Sequence, residues 1–176
     1  AKLFAIEIEE NNKTRKDLDK IITNDALKMI KKNKKSTVVF SENWHKGVVG
    51  IVASRLIETH YKPTIVLAEK EGLLTGSARS VHDFDLYEAI SKCSHLCEKF
   101  GGHKYAAGLS IKKKNLNKFI NAFEIAVNEE TFRGYAKDNG FNVSSANNIG
   151  KLDENLPLIG KQRSIVRWLY EEDTNK

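Results

Sequence analysis

The 176-residue chain has two cysteines, two prolines and one methionine, so the residues that most often dictate a small fold are scarce. Cys93 and Cys97 are too few for a disulfide framework. They stand four apart in one helical pattern, and a reducing compartment, the cytoplasm, is expected. No apolar run approaches the roughly 18 residues that a membrane span needs, so no membrane partner is expected. The opening AKLFAIEIEE lacks the basic and then apolar order of a secretion signal. It also lacks an initiator methionine and begins inside a helical pattern, which reads as a piece of a longer chain. The sequon at Asn142 has no other mark of secretion beside it. A GxSxG elbow is missing, which argues against a hydrolase of that kind. The five histidines show neither HxxxH nor HExxH spacing, so no metal is expected to bind this chain.

What is present is a globular composition, 40% hydrophobic and 30% charged, with enough apolar material for a core. The net charge of +6 is unevenly spread. Residues 1–128 carry 22 basic against 15 acidic side chains, a net +7, whereas residues 129–176 carry 7 against 8, a net −1. A basic body suits a polyanionic partner, although charge alone names none.

Periodicity predicts a long helix over 3–32, with Leu18, Ile21, Ile22, Ala26, Met29 and Ile30 at helical spacing and a possible break near Asn11-Asn12. The Lys31–Lys35 tract is expected to end it. A short strand follows at Thr37–Phe40, then a buried helix over Gly47–Tyr61, stopped by Pro63. Strands at Thr64–Ala68 and Leu73–Ala78 form an antiparallel hairpin across the turn Glu69–Gly72. A helix is expected over Asp85–Phe100, capped by Asp83 or Asp85 and ended by Gly101-Gly102. A strand over Tyr105–Ile111 and an amphipathic helix over Asn115–Glu129 complete the body. The fold class is α/β, a small mixed sheet flanked by helices. Three regions are expected: a helical segment at 1–35, an α/β body at 36–130, and an Asn-rich, partly helical tail at 131–176.

Three clusters carry possible chemistry. Trp44-His45-Lys46-Gly47 precedes the buried helix, whose free N-terminal amides suit an anion; the plainer role is a cap from His45 and core filling by Trp44. Gly76-Ser77-Ala78-Arg79-Ser80 ends a strand, and Arg79 with the hydroxyls of Ser77 and Ser80 can grip a phosphate; the plainer role is a strand exit with a surface arginine. Gly101-Gly102-His103 precedes a strand of tiny residues on which something can pack closely; the plainer role is a helix stop. Cys93, His95 and Cys97 do not make a metal site on a helix, since residues four apart share a face and the middle one points away.

In order, WHKGVVGIVASRL, KPTIVLAEKEGLLTGSARS, FDLYEAI and FGGHKYAAGLSI resemble the DHHA1 domain of the RecJ family of single-stranded-DNA exonucleases. NNKTRKDLDKIITNDAL is similar to the helix that joins that family's catalytic DHH domain to DHHA1. The resemblance covers roughly residues 1–128. It implies degradation of single-stranded DNA from the 5′ end in recombination and repair. It also implies manganese or magnesium held by Asp and His of the DHH domain, with DHHA1 closing the cleft opposite. Trp44, His45, Ser77, Arg79, Ser80, Gly101, Gly102 and His103 are the substrate-binding residues it implies, and Lys112, Lys113 and Lys114 are further candidates for backbone contact by charge. Its partners are single-stranded DNA and the DHH domain of the parent chain. This chain has no DHH motif, so it is expected to hold no catalytic metal and to be inactive alone. The family continues into an OB-type domain, which residues 131–176 do not resemble. They are similar instead to a segment of periplasmic SurA-like peptidyl-prolyl isomerases outside the isomerase domain, which would put a seam near Asn128–Thr131. Two other readings are therefore a phosphodiesterase of short oligonucleotides or cyclic dinucleotides, and a chaperone-like peptide-binding module.

Overall fold

In the computed structural model, the backbone of residues 2–138 and the side chains of residues 12–131 are described, all within one compact unit, Ala1–Asn142. The elements are α1 (Lys2–Lys28), β1 (Thr37–Ser41), α2 (Val49–His60), β2 (Thr64–Lys70), β3 (Leu73–Arg79), α3 (Leu86–Lys92), β4 (Cys97–His103), β5 (Ala106–Lys112) and α4 (Leu116–Asp138). Single 3₁₀ turns, Ser94–Leu96 and Lys113–Asn115, precede β4 and α4.

The five strands form one sheet in the order β1-β2-β3-β5-β4. β1 and β2 are parallel, joined through α2, and every other pair is antiparallel. Two residues make the β2–β3 turn, Glu71 at φ 55° and Gly72 at φ 77°. Positive φ at both positions matches the twist of a two-residue hairpin.

β2 is buried from Thr64 through Ala68, as befits a strand covered on both faces. Its side chains divide two cores. Ile65 and Leu67 join Leu74, Ala78, Leu109 and Ile111 beneath α3 and α4, where Phe119 and Phe123 are wholly buried. Val66 and Ala68 join Val39 beneath α2, with Val49, Val52 and Leu56, and with Ile22 and Ala26 of α1.

Polar contacts fix the helices in place. Asp19 of α1, almost wholly buried, pairs with Arg55 of α2 at 2.6 Å. Asp25 of α1 accepts from the Trp44 indole N–H at 3.0 Å. Glu124 of α4 accepts from the backbone N–H of Lys35 (2.7 Å) and Ser36 (3.0 Å), and from the Ser36 hydroxyl. Asp85 caps α3 by accepting from Glu88 N–H at 3.0 Å.

Several expectations are corrected. The first helix runs unbroken through Asn11-Asn12 and ends at Lys28, before the lysine tract. The helix expected over Asp85–Phe100 stops at Lys92, and Cys97–His103 is the edge strand β4. Gly101 and Gly102 therefore end no helix, and His103 closes β4 instead of opening β5. Two glycines cost a helix about 1 kcal/mol each, and the edge of β5 supplies an alternative set of backbone partners. α4 itself continues through 130 to Asp138. The readings for residues 139–176, including Asn142, lie outside the described residues.

Candidate functional site

Strand register brings two of the three clusters together. Arg79 of β3 pairs with Ala106 of β5, which pairs with His103 of β4. One row along, Ser77 pairs with Gly108, which pairs with Gly101. Leu74, Ala78, Ala107 and Leu109 point into the core under α3 and α4. Alternation therefore sends Ser77, Arg79, Ala106, Gly108, Gly101 and His103 to the opposite face. α2 lies over β2 and β3 on that face. Beyond it the sheet is open at Gly108, which is exposed although β5 is an interior strand, and at Gly101 and His103 beside it, whereas Ser110 on the same face is buried. The result is a shallow floor of Ala106, Gly108 and Gly101, with Arg79 and His103 on either side about 10 Å apart, two strand spacings.

Each flanking group is held in place. The Arg79 guanidinium donates from Nη1 to the Ala78 carbonyl at 2.9 Å. Its Nη2 lies against α2, where a Cβ on Gly50 would stand 3.0 Å from it. His103 Nδ1 accepts from the Tyr105 backbone N–H at 3.3 Å. That bond occupies Nδ1 and leaves Nε2 as the ring nitrogen for an outside contact. His45 repeats the device, its Nδ1 accepting from Gly47 N–H at 3.1 Å in the turn before α2. No side chain caps α2, whose N-cap is Val48.

The other sequence candidates are placed differently. Trp44 is buried and bonded to Asp25, so it anchors α1. The Ser80 hydroxyl donates to the carbonyls of Phe84 (2.8 Å) and Val81 (3.1 Å), holding the loop after β3. Gly102 faces the other way, with φ 150°, and a Cβ there would lie 2.3 Å from the Ala106 carbonyl oxygen. Gly50 was missed by sequence reasoning, and so were Ala106 and Gly108 as individual site residues. The tiny residues at 106–108 were the available signal.

Charge also sorts the candidates. Among the described residues no carboxylate lies within ion-pair distance of Arg79, Lys46, Lys99 or Lys104. Lys112 instead pairs with Glu98 at 3.2 Å, and Lys113 with Glu42 at 2.5 Å and Glu69 at 2.8 Å. Donating to the carboxylates of Glu42 and Glu69 raises the Lys113 ammonium above its ordinary pKa, and accepting from Lys113 lowers the Glu42 carboxyl. Two of the three lysines expected to contact a nucleic-acid backbone are thus engaged within the fold.

The cysteines form no reactive centre. Cys93 is buried at the end of α3 and Cys97 begins β4, so they do not share a helix face. Burial, and then the neighbouring Cys97, pushes the Cys93 thiol up to about 11; burial does the same to Cys97. The thiolate is the reactive form. A thiol reagent at neutral pH is expected to label neither cysteine promptly in the folded protein and both in denaturant; prompt labelling of native Cys93 would contradict this. The unfolded thiols ionise near 9.0, so the folded state holds more protons above that pH and stability falls as pH rises from there to about 11. Among the described residues no group of three or more His, Cys, Asp or Glu side chains could hold a metal ion, and no helix is long and apolar enough to cross a membrane.

Residues 33–129 match the model of the DHHA1 domain, and the chain belongs to that family. Within it, the region matched is that of one kind of exonuclease. The chain is 39% identical over 121 residues to the single-stranded-DNA-specific exonuclease RecJ of Bacillus subtilis, covering 66% of this chain and 15% of that protein. It is 33% identical over 210 residues to RecJ of Haemophilus influenzae, covering 97% and 36%. Thermus thermophilus RecJ in complex with Mg²⁺ superposes with a TM-score of 0.63 at 29% identity, covering 69% of this chain and 19% of that one. Exonuclease RecJ bound to manganese gives 0.66 at 27%, covering 76% and 34%. The chain is thus the counterpart of the DHHA1 region of RecJ, and it spans between 15% and 36% of the length of these two curated relatives. Coverage of 97% carries the Haemophilus influenzae match into residues 131–176. The matches support neither the phosphodiesterase nor the isomerase-like reading.

Proposed function

We infer that this chain is the substrate-holding part of a RecJ-type exonuclease and that its bare sheet face holds the backbone of single-stranded DNA. The observation that carries the reading is the row Arg79–Ala106–His103. It sets a guanidinium and an imidazole N–H across a floor of tiny side chains, with no carboxylate paired to the guanidinium. A phosphate on Ala106 and Gly108 meets the Arg79 guanidinium on one side and the His103 imidazole on the other. Ser77 adds a hydroxyl along the β3 wall, and Gly101 and Gly108 let the strand approach the sheet backbone. His45 and the uncapped amides of α2 offer a further anion contact at the margin. Cleavage, 5′ polarity and the manganese or magnesium belong to a DHH domain elsewhere in the parent chain. There the metals would activate water and neutralise charge on the phosphate, while this face holds the strand. The cytoplasm is the compartment that fits such work and two free thiols.

The test is fluorescence anisotropy of a labelled single-stranded oligonucleotide against the full chain across a salt series. Binding that weakens steeply with salt is expected. No binding at low salt, or binding indifferent to salt, would overturn the reading.

A further inference from the structure

We propose that Lys99 holds a second phosphate of the bound strand, so that the strand runs along β4 and β5 and not across them; the inference rests on the phosphate-holding role just given. Register puts Lys99 on the same face as the Arg79–Ala106–His103 row. Lys99 of β4 pairs with Ser110 of β5, which pairs with Thr75 of β3. Phe100, the next residue, packs on the core under α3 and α4, so Lys99 leaves the sheet on the other side. The middle of this row is filled, since Ser110 is buried, and Lys99 stands exposed at its β4 end. The open floor at Gly108 and Gly101 therefore has His103 at one corner and Lys99 at the other.

Spacing and charge give that corner its role. Lys99 lies four residues from His103 along β4, about 13 Å, and further still from Arg79 on β3. The Arg79 guanidinium is held back by the Ala78 carbonyl and lies against α2, so the two cations cannot share one phosphate. Among the described residues no carboxylate lies within ion-pair distance of Lys99. One step beyond, the charge is cancelled: Lys112, on the same face of β5, pairs with Glu98 at 3.2 Å. The track of available positive charge thus begins at Arg79 and ends at Lys99. Its two ends differ in kind. The guanidinium is a planar fork that fixes one phosphate, whereas an ammonium on a flexible stem attracts a phosphate without dictating its orientation.

The experiment measures binding of a labelled oligothymidylate to the full chain by fluorescence anisotropy across a salt series, for Lys99→Ala, Arg79→Ala and the double variant. Lys99→Ala is expected to weaken binding about fivefold or more at fixed salt. It should lower the slope of log affinity against log salt by about 0.7 to 1, the worth of one phosphate. Lys99→Arg should restore both. Because the two cations take different phosphates, the losses in the double variant should add, in affinity and in slope. Lys118→Ala is the control for general charge: Lys118 is exposed on α4, across the sheet, and its loss should leave binding unchanged. An effect of Lys99→Ala no larger than that of Lys118→Ala would overturn the proposal. So would a double variant no weaker than Arg79→Ala alone. Either result, with Arg79→Ala still weakened, leaves the Arg79 row standing, whereas an unaltered chain that binds no strand would overturn both readings together.

Discussion

Replacing Arg79 with alanine is expected to weaken single-stranded DNA binding by about 10- to 100-fold at fixed salt, the worth of one or two charge-assisted hydrogen bonds. The slope of log affinity against log salt should fall by about one, because one fewer phosphate is neutralised. Arg79→Lys should keep most of the slope and recover only part of the affinity, since an ammonium lacks the planar fork. The guanidinium is positioned by what lies above it. A Cβ on Gly50 would stand 3.0 Å from Nη2, tight enough to displace it. Gly50→Ala should therefore mimic part of the Arg79→Ala loss through a residue that has no side chain of its own to contact DNA. Affinity and slope both unchanged in Arg79→Ala would remove this residue from the site.

Gly76→Ala is expected to cost the fold about 4 kcal/mol or more, read as a fall in urea midpoint or as failure to accumulate folded protein. The new Cβ would lie 1.9 Å from the Val66 carbonyl oxygen and 2.8 Å from the Leu67 Cα. Neither can move aside, because Val66 and Leu67 are wholly buried, one in each core. Backbone against backbone at that distance forces β2 and β3 apart at the centre of the sheet. Gly72→Ala is the contrasting case: φ is 77° but nothing lies within 4 Å of the added Cβ. Only the backbone conformation is penalised there, by about 1–2 kcal/mol. Equal losses at the two positions would contradict this account.

Much of the body was legible in sequence because its elements are marked locally. The apolar first turns of α2, the stop at Pro63, and the Glu71-Gly72 turn between two β-rich runs each announce themselves within a few residues. β4 does not. Its sequence, CEKFGGH, has a register irregularity between Cys97 and Lys99 and two glycines, so no alternation survives to be read. It becomes a strand because β5 has an edge to fill, a tertiary cause. The candidate site was legible as residues but not as a place. Arg79 and His103 were identified from separate clusters, and only the order β3-β5-β4 puts them in one row. The same limit hid the ion pairs of Lys112 and Lys113, whose partners Glu98, Glu42 and Glu69 are distant in sequence or on the neighbouring strand.

The bare face is a matter of unequal widths. A helix with its side chains is about 10 Å across and roofs roughly two strands. Two helices, α3 and α4, roof one side of this five-stranded sheet. On the other side α1 packs on α2, which leaves β5 and β4 as an overhanging ledge. Such a surface needs no excavated cavity and no charge sealed in the interior, because it exists wherever the roof stops short. It is also erased cheaply: any insertion long enough to lay one more helix over the ledge would restore an ordinary three-layer domain and close the floor.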